Sequence, residues 1–394
     1  MKIEKIYIGG WFQRTMLHLT EIYNFLKDGT SYLEGLNEKK LKTLRDTLEI
    51  EELEFSVDGF EQIDFTTKQG VQVKIFEDGL IVLSTDIAST ETLNAEIDEL
   101  AKYYEEQLSP AFSYLFSLGA PVPKELAGIK QVYPYFIVLN HAKPAEMQKF
   151  METIDKQRYY EHSNEHFDIL RGDKYYFINN KTTSLKRAEA YIEEQIFVRE
   201  FKGQLHRYLD LHRIIWERIA EVKEKTKVRG KDIVAFTSKI EDYAKTINLV
   251  DSRINQMGAY LKTREKLALR DPDFKGVLEI MEYRYETLGN TLSYVQNIWT
   301  MTKNYVASAR SLFSDLQQEV TQKSVENLTI VTSMGVGASL IALFTTDSLP
   351  EFTVFGIFYF LALAAIGFTV SVVMRKIGER SKYEIADKDF EKIH

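Results

Sequence analysis

The sequence predicts an α+β N-terminal cytoplasmic domain, a long α-helical stalk and two C-terminal transmembrane helices, with several copies of the chain assembled around the stalk. Three observations predict it. Strand and helix patterns alternate through residues 1–183. Two apolar seams at helical spacing follow, and no proline occurs between Pro272 and Pro350. Two apolar runs joined by a short polar segment stand near the end.

The bulk properties narrow the field. A chain of 394 residues exceeds one simple core, so two or more modules are expected. A net charge of -8 argues against nucleic acid as a partner, since phosphate backbones favour basic surfaces. With no cysteine there are no disulfides, thiolate metal sites or cysteine nucleophiles. The opening "MKIEKIYIGGWFQRT" has no apolar run long enough for a signal peptide, so the bulk of the chain is expected in the cytoplasm.

In residues 1–183, "KIYIGG" reads as a short strand and "TMLHLTEIYNFLKDG" as a helix stopped by glycine. "LEFSV", "QIDFTT", "VQVKIF" and "LIVLST" read as strands, with "EDG" a hairpin turn between the last two. A helix from Glu91 to Phe116 follows. The order then recurs: strand "YPYFIVLN", helix "PAEMQKFMETI", strands "FDIL" and "KYYFIN" about the turn "RGD", then helix. Two diverged βαββ-like halves are expected.

Two motifs touch on chemistry. "HSNEH", His162 to His166, matches H-x-x-E-H formally, but zinc catalysis needs both histidines on one helical face. A strand pattern follows at once, so a β-turn with solvated histidines is the expectation. "IGGW" places Gly9 and Gly10 between a strand and a helix, where backbone amides can approach an anion at a helix N-terminus. Trp11 could stack on a base, and Arg14 and His18, about one helical turn apart, could add charge and hydrogen bonds. The competing reading is a tight turn with Trp11 in the core and Arg14 in a surface ion pair. No nucleophile, base and orienting group come together, so the chain is not expected to be an enzyme.

Residues 184–268 read as long antiparallel helices and 269–327 as a stalk helix. Ile233, Phe236, Ile240, Tyr243, Ile247, Val250, Ile254, Met257 and Leu261 form one seam. Leu288, Leu292, Val295, Trp299, Thr302, Val306, Ala309, Phe313, Leu316 and Val320 form the next. "LALRDPDFKG" is the turn between them, so Lys231–Arg264 is expected to pack antiparallel on the stalk. One helix from Phe274 to Phe344 would be about 105 Å long, and its seam needs partners. His212, between Leu209 and Trp216, is expected to be packed rather than a metal ligand.

Residues 354–374 form an uncharged run of about 21 residues, enough to cross a hydrocarbon core of about 30 Å. Residues 328–344 form a shorter, more polar first span. Arg375, Lys376, Arg380 and Lys382 follow the second span in the basic tail, 375–394, while the loop 345–353 carries Asp347 and Glu351 and no basic residue. The positive-inside rule puts the loop outside and both termini in the cytoplasm. Bulky Phe355, Phe358, Tyr359, Phe360 and Phe368 suit lipid. Thr329, Thr332, Ser333, Gly335, Gly337 and Ser339 suit close helix packing or a pore lining, and composition leaves both open.

This order, with "LTIVTSM" at Leu328 to Met334, resembles the CorA family of divalent-cation channels. The resemblance implies a homopentamer in the inner membrane, with the first span lining the pore at Val325, Leu328, Thr332, Val336, Ser339, Asp347 and Ser348. It also implies Mg²⁺ or another divalent cation as cargo. The family's Tyr-Gly-Met-Asn signature would fall on Thr345, Thr346, Asp347 and Ser348, and is absent. Asp347 could supply a carboxylate ring instead. "YIGGWFQRTMLHLTEIY" is similar to members of a divergent CorA-like group found beside type III CRISPR systems. Those proteins are regarded as membrane effectors switched by a conjugate of S-adenosylmethionine and AMP. On that resemblance the chain is a cation-conducting defence channel, with Gly9, Gly10, Trp11, Arg14 and His18 as ligand-binding residues. A divalent-metal transporter with an altered filter is the alternative. A coiled-coil structural protein merely tethered by its hairpin is a third.

Overall fold

The computed structural model describes residues 2–12, 18–57, 60–116, 134–155, 157–223, 227–270, 275–344 and 354–384. These fall into two compact units. The first comprises 1–209 with 249–297, and the second 210–248 with 298–394.

The first unit is built on a nine-stranded sheet. The strands are β1 (Lys2–Trp11), β2 (Ile50–Ser56), β3 (Gln62–Thr67), β4 (Gln72–Phe76), β5 (Leu80–Asp86), β6 (Tyr135–Asn140), β7 (Tyr160–Ser163), β8 (Phe167–Arg171) and β9 (Tyr175–Asn180), in the order β2-β3-β4-β5-β1-β6-β9-β8-β7. Strand β5 returns beside β1, pairing antiparallel, and β9 returns beside β6, pairing parallel. The difference in direction follows from strand number, since four successive antiparallel strands, β2 to β5, lead to the first pairing and three, β7 to β9, to the second.

Helices α1 (Leu19–Asp28), α2 (Glu38–Thr47), α3 (Leu93–Lys102), a π-helical turn (Tyr103–Leu108), α4 (Ser109–Leu115) and α5 (Pro144–Ile154) cover one face. Strand side chains alternate between faces. Ile6 and Ile8 accordingly join Ile22, Phe25, Phe112 and Met147 in the main core. Tyr7, Gly9 and Trp11 face the other way, toward α6 (Lys186–Lys223): the Tyr7 hydroxyl donates to Glu189, and the Trp11 ring meets those of Phe197 and Phe201. Helix α1 ends at Gly29, whose positive φ lets its N–H close on Phe25 O at 2.9 Å.

The remaining elements are β10 (Lys227–Arg229), α7 (Gly230–Arg270), α8 (Lys275–Phe344), α9 (Val354–Arg380) and β11 (Lys382–Glu384). Helix α8 has 70 residues, matching the proline-free stretch that predicted it. In the first unit, Gln296 donates to Asn255, and Leu292 Cδ2 lies 3.7 Å from where a side chain on Gly258 would begin. In the second unit, Phe236 packs on Phe313, Arg310 meets Glu241 at 3.2 Å, and Trp216 stacks on Tyr305 at 4.4 Å. Within each unit the paired positions run in opposite directions, so α7 and α8 are antiparallel.

This packing corrects the reading of the stalk seam. Leu288, Leu292, Val295, Trp299, Thr302, Val306, Ala309, Phe313 and Leu316 are buried within a single chain. The seam's partner is the chain's own Ile233–Leu261 seam, and the row gives no motive for assembly. Among the described residues no helix is long and apolar enough to cross a membrane. The run 354–374 contains positions whose side chains are not among those residues.

Candidate functional site: a cationic cleft and the end of the long helix

The expected anion site at the first glycines does not have the predicted local form. Gly9 and Gly10 lie inside β1, opposite Val82 and Ile81, and not in a strand-to-helix turn. A Cβ on Gly9 would stand 2.4 Å from Ile81 O and 2.9 Å from Ile196 Cδ1, so its glycine serves the close approach of α6 to the sheet. Trp11 is buried, and its Nε1 donates to Asp78 O at 2.8 Å. His18 precedes α1, where its backbone N–H donates to Glu21 Oε2 at 2.9 Å. Arg14 lies outside the described residues. His162 sits in β7 and His166 in the turn after it, with Arg187 Nη1 2.8 Å from His166 Nδ1. The two histidines therefore share no helical face, and among the described residues no cluster suits a metal ion.

A different place in the first unit gathers positive charge. A cleft of about 350 Å³ is lined by Arg171 and Tyr176 of the sheet, Arg199 and Lys202 of α6, and Arg284 of α8, with Phe136 in its wall. Among the described residues its lining has four cations and no carboxylate, in a chain whose net charge is -8. The size lies within the range of small-ligand pockets.

The local sequence explains each position. Phe136 and Tyr176 are partners in the parallel β6–β9 ladder, so their rings stack at 5.0 Å and 24°. Arg171, last in β8, lays its guanidinium 5.3 Å from the Tyr176 ring centre. Arg199 is anchored rather than loose: its Nη2 donates to Gly9 O at 2.8 Å and its Nε to Glu200 Oε1 at 3.0 Å. Burial lowers the Arg199 pKa, with Glu200 opposing that shift. Arg284 donates to Gln195 Oε1, and Gln195 Nε2 lies 2.9 Å from Met281 Sδ. Guanidinium forks beside an aromatic stack can hold a phosphate and a planar ring together. The sequence reading missed this cleft because its residues come from β6, β8, β9, α6 and α8. Arg171 stands in "RGD", Phe136 in "YPYFIVLN" and Tyr176 in "KYYFIN", none of which carries a ligand signature by itself.

The expected pore-facing residues Val325, Leu328, Thr332, Val336 and Ser339 are all exposed on α8, and their spacing puts them on one face. Thr332 Oγ1 donates to Leu328 O at 2.8 Å and Ser339 Oγ to Gly335 O at 2.9 Å, which leaves neither hydroxyl dependent on water. Asp347 and Ser348 lie outside the described residues.

No family model matches the chain, and no characterised protein matches it in sequence. Among solved structures, the complete structure of the CorA magnesium transporter from Methanocaldococcus jannaschii is similar over 64% of this chain and 91% of that one. The identity is 10% and the TM-score 0.29, a likeness too slight to carry any inference about this chain.

Proposed function

We propose that the chain forms a cation-conducting membrane channel of the CorA-like kind, a homo-oligomer in the inner membrane, opened or closed by a nucleotide-type anion held in the cationic cleft. The observation that carries the membrane reading is uncovered apolar surface. Phe355 is 88% exposed in the single chain, and Phe358, Leu361, Ile366 and Phe368 of α9 are exposed with it, as are Leu328, Ile330 and Val336 of α8. Surface of this kind is buried by lipid or by neighbouring copies.

The uncharged run 354–374 supports a second span, and the basic residues after it support cytoplasmic termini. The first span then takes the pore, because it interleaves Thr332, Gly335 and Ser339 with its exposed aliphatic residues, whereas the second exposes phenylalanines. The missing asparagine at Ser348 supports weak ion discrimination, with Asp347 as the remaining charge at the outer end. The pentameric count and the S-adenosylmethionine–AMP ligand rest on the sequence resemblance alone.

The test has two arms. Membranes carrying the full chain are washed with alkaline carbonate, and retention in the pellet is expected. Calorimetry then measures S-adenosylmethionine–AMP, cyclic oligoadenylates and ATP against the detergent-purified chain. At least one should bind tighter than about 100 µM, and Arg171→Gln with Lys202→Gln should weaken it. Extraction by carbonate contradicts the membrane reading, and absence of binding contradicts the ligand.

A further inference from the structure

We infer that a second cationic cleft, at the tail of α9, binds the phosphate of an anionic phospholipid. This rests on the membrane reading above. The cleft measures about 610 Å³, and the described residues that line it, Arg229, Lys231, Lys376, Arg380 and Lys382, are all cations.

The fold brings these charges together from two distant segments. Strand β10 pairs antiparallel with β11, and Gly230 N donates to Ser381 O at 3.0 Å. A Cβ on Gly230 would stand 2.6 Å from Gly378 O, so glycine is required for the α7 start to lie against the α9 end. The clasp sets Arg229 directly opposite Lys382. Like charges directly opposite in a ladder repel, and five cations, with no carboxylate among the described residues of the lining, repel further. An anion seated among them removes that cost.

The neighbouring surface selects a lipid over a free anion. Val373 and Ile377 are exposed on α9 and share a helical face with Lys376 and Arg380. One face thus passes from apolar to cationic within two turns, as a phospholipid passes from acyl chain to phosphate. The cations of the α9 tail begin with Arg375 and Lys376, directly after the uncharged run 354–374, which suits headgroup depth. Inorganic phosphate would use the charges and leave the apolar residues idle.

The test is native mass spectrometry of the full chain, purified in detergent and mixed with phosphatidylglycerol or phosphatidylcholine. Phosphatidylglycerol adducts should exceed phosphatidylcholine adducts about tenfold. The triple variant Arg229→Gln, Arg380→Gln, Lys382→Gln should lose that preference. A triple variant at exposed positions of the first unit, Lys39→Gln, Lys143→Gln, Lys149→Gln, should keep it. Excess inorganic phosphate should not displace the lipid. Equal adducts of both lipids, a preference surviving in the first triple variant or lost in the second, or displacement by phosphate would each overturn the inference. Circular dichroism keeps the variants comparable, and the single variant Arg380→Gln replaces the triple one if that fails to fold. Carbonate washing separates the two claims. A chain that stays in the membrane without lipid preference overturns this inference alone, and a chain that washes off overturns the membrane reading with it.

Discussion

Arg264 Nη2 lies 3.0 Å from Asp78 Oδ1, and both side chains are almost wholly buried. The same guanidinium meets Glu194 Oε1 at 3.1 Å and lies over the rings of Phe60, Phe76 and Phe197. Tyr285 donates to the other oxygen of Glu194. One arginine near the end of α7 therefore ties the β4–β5 turn to α6 and, through Tyr285, to α8. Burial disfavours the charge on Arg264, but Asp78 and Glu194 outweigh it and raise its pKa.

Removing this arginine leaves two buried carboxylates without a counter-charge. Arg264→Met is expected to destabilise the chain by about 3–5 kcal/mol. Arg264→Lys should recover part of that loss, since lysine keeps the charge but not the fork. Denaturant unfolding followed by circular dichroism measures both. A loss below about 0.5 kcal/mol in Arg264→Met would show that the network does not hold the hairpin.

Gly9→Ala is expected to cost about 1–3 kcal/mol, because the added methyl meets Ile81 O and Ile196. Gly289→Ala, in α8, has nothing within 4 Å and should be neutral or stabilising by up to about 1 kcal/mol. Thermal unfolding of the two variants reads the contrast. The reverse order would return Gly9 to a loop role.

These two glycines show where local sequence sufficed and where it did not. The strand "QIDFTT" follows from alternation, "LIVLST" from a short continuous apolar run, the helix Pro144–Ile154 from a proline at its start, and the 70-residue α8 from a proline-free seam. "IGGW" misled because paired glycines usually punctuate, whereas here the strand continues to Trp11 and Gly9 admits a helix. Strand β7, "YEHS", was missed because it is short, polar and at the sheet edge. The two seams and the turn between them give the antiparallel pairing of α7 and α8, but not that this pairing within one chain buries the row from Leu288 to Leu316. Spacing shows that a face is covered and is silent on whether the covering helix belongs to the same chain. The two cationic clefts were invisible for a related reason, since each draws on segments far apart in sequence.

Glu193 provides a pH signature. Burial raises its pKa to about 7, against the opposing pull of Lys74 and Arg264. Lys74 Nζ lies 3.4 Å from its carboxylate. A folded pKa above the unfolded one means the folded state holds the extra proton between those values. Its stabilising contribution is present below the unfolded value and is lost as pH rises through about 7. The melting temperature of wild type minus that of Glu193→Gln should therefore fall between about pH 5 and pH 8. A flat or rising difference contradicts this.

The pore assignment predicts a difference between the two terminal helices. The chain has no cysteine, so single cysteines can be introduced on a clean background. Methanethiosulfonate reagents should block current through Val336→Cys and Ser339→Cys, and leave Phe358→Cys and Phe368→Cys conducting. Equal block on both helices would contradict the assignment of the pore to α8.

Ion flux through the full chain reconstituted in liposomes tests the central claim most directly. Liposomes loaded with a Mg²⁺ dye and a monovalent-cation dye are exposed to the nucleotide that binds in calorimetry. Flux of both ions should change on ligand addition, and the change should be lost in Arg171→Gln, Lys202→Gln. Liposomes that retain the full chain yet pass no ion, with or without nucleotide, would contradict a channel and leave the hairpin as an anchor.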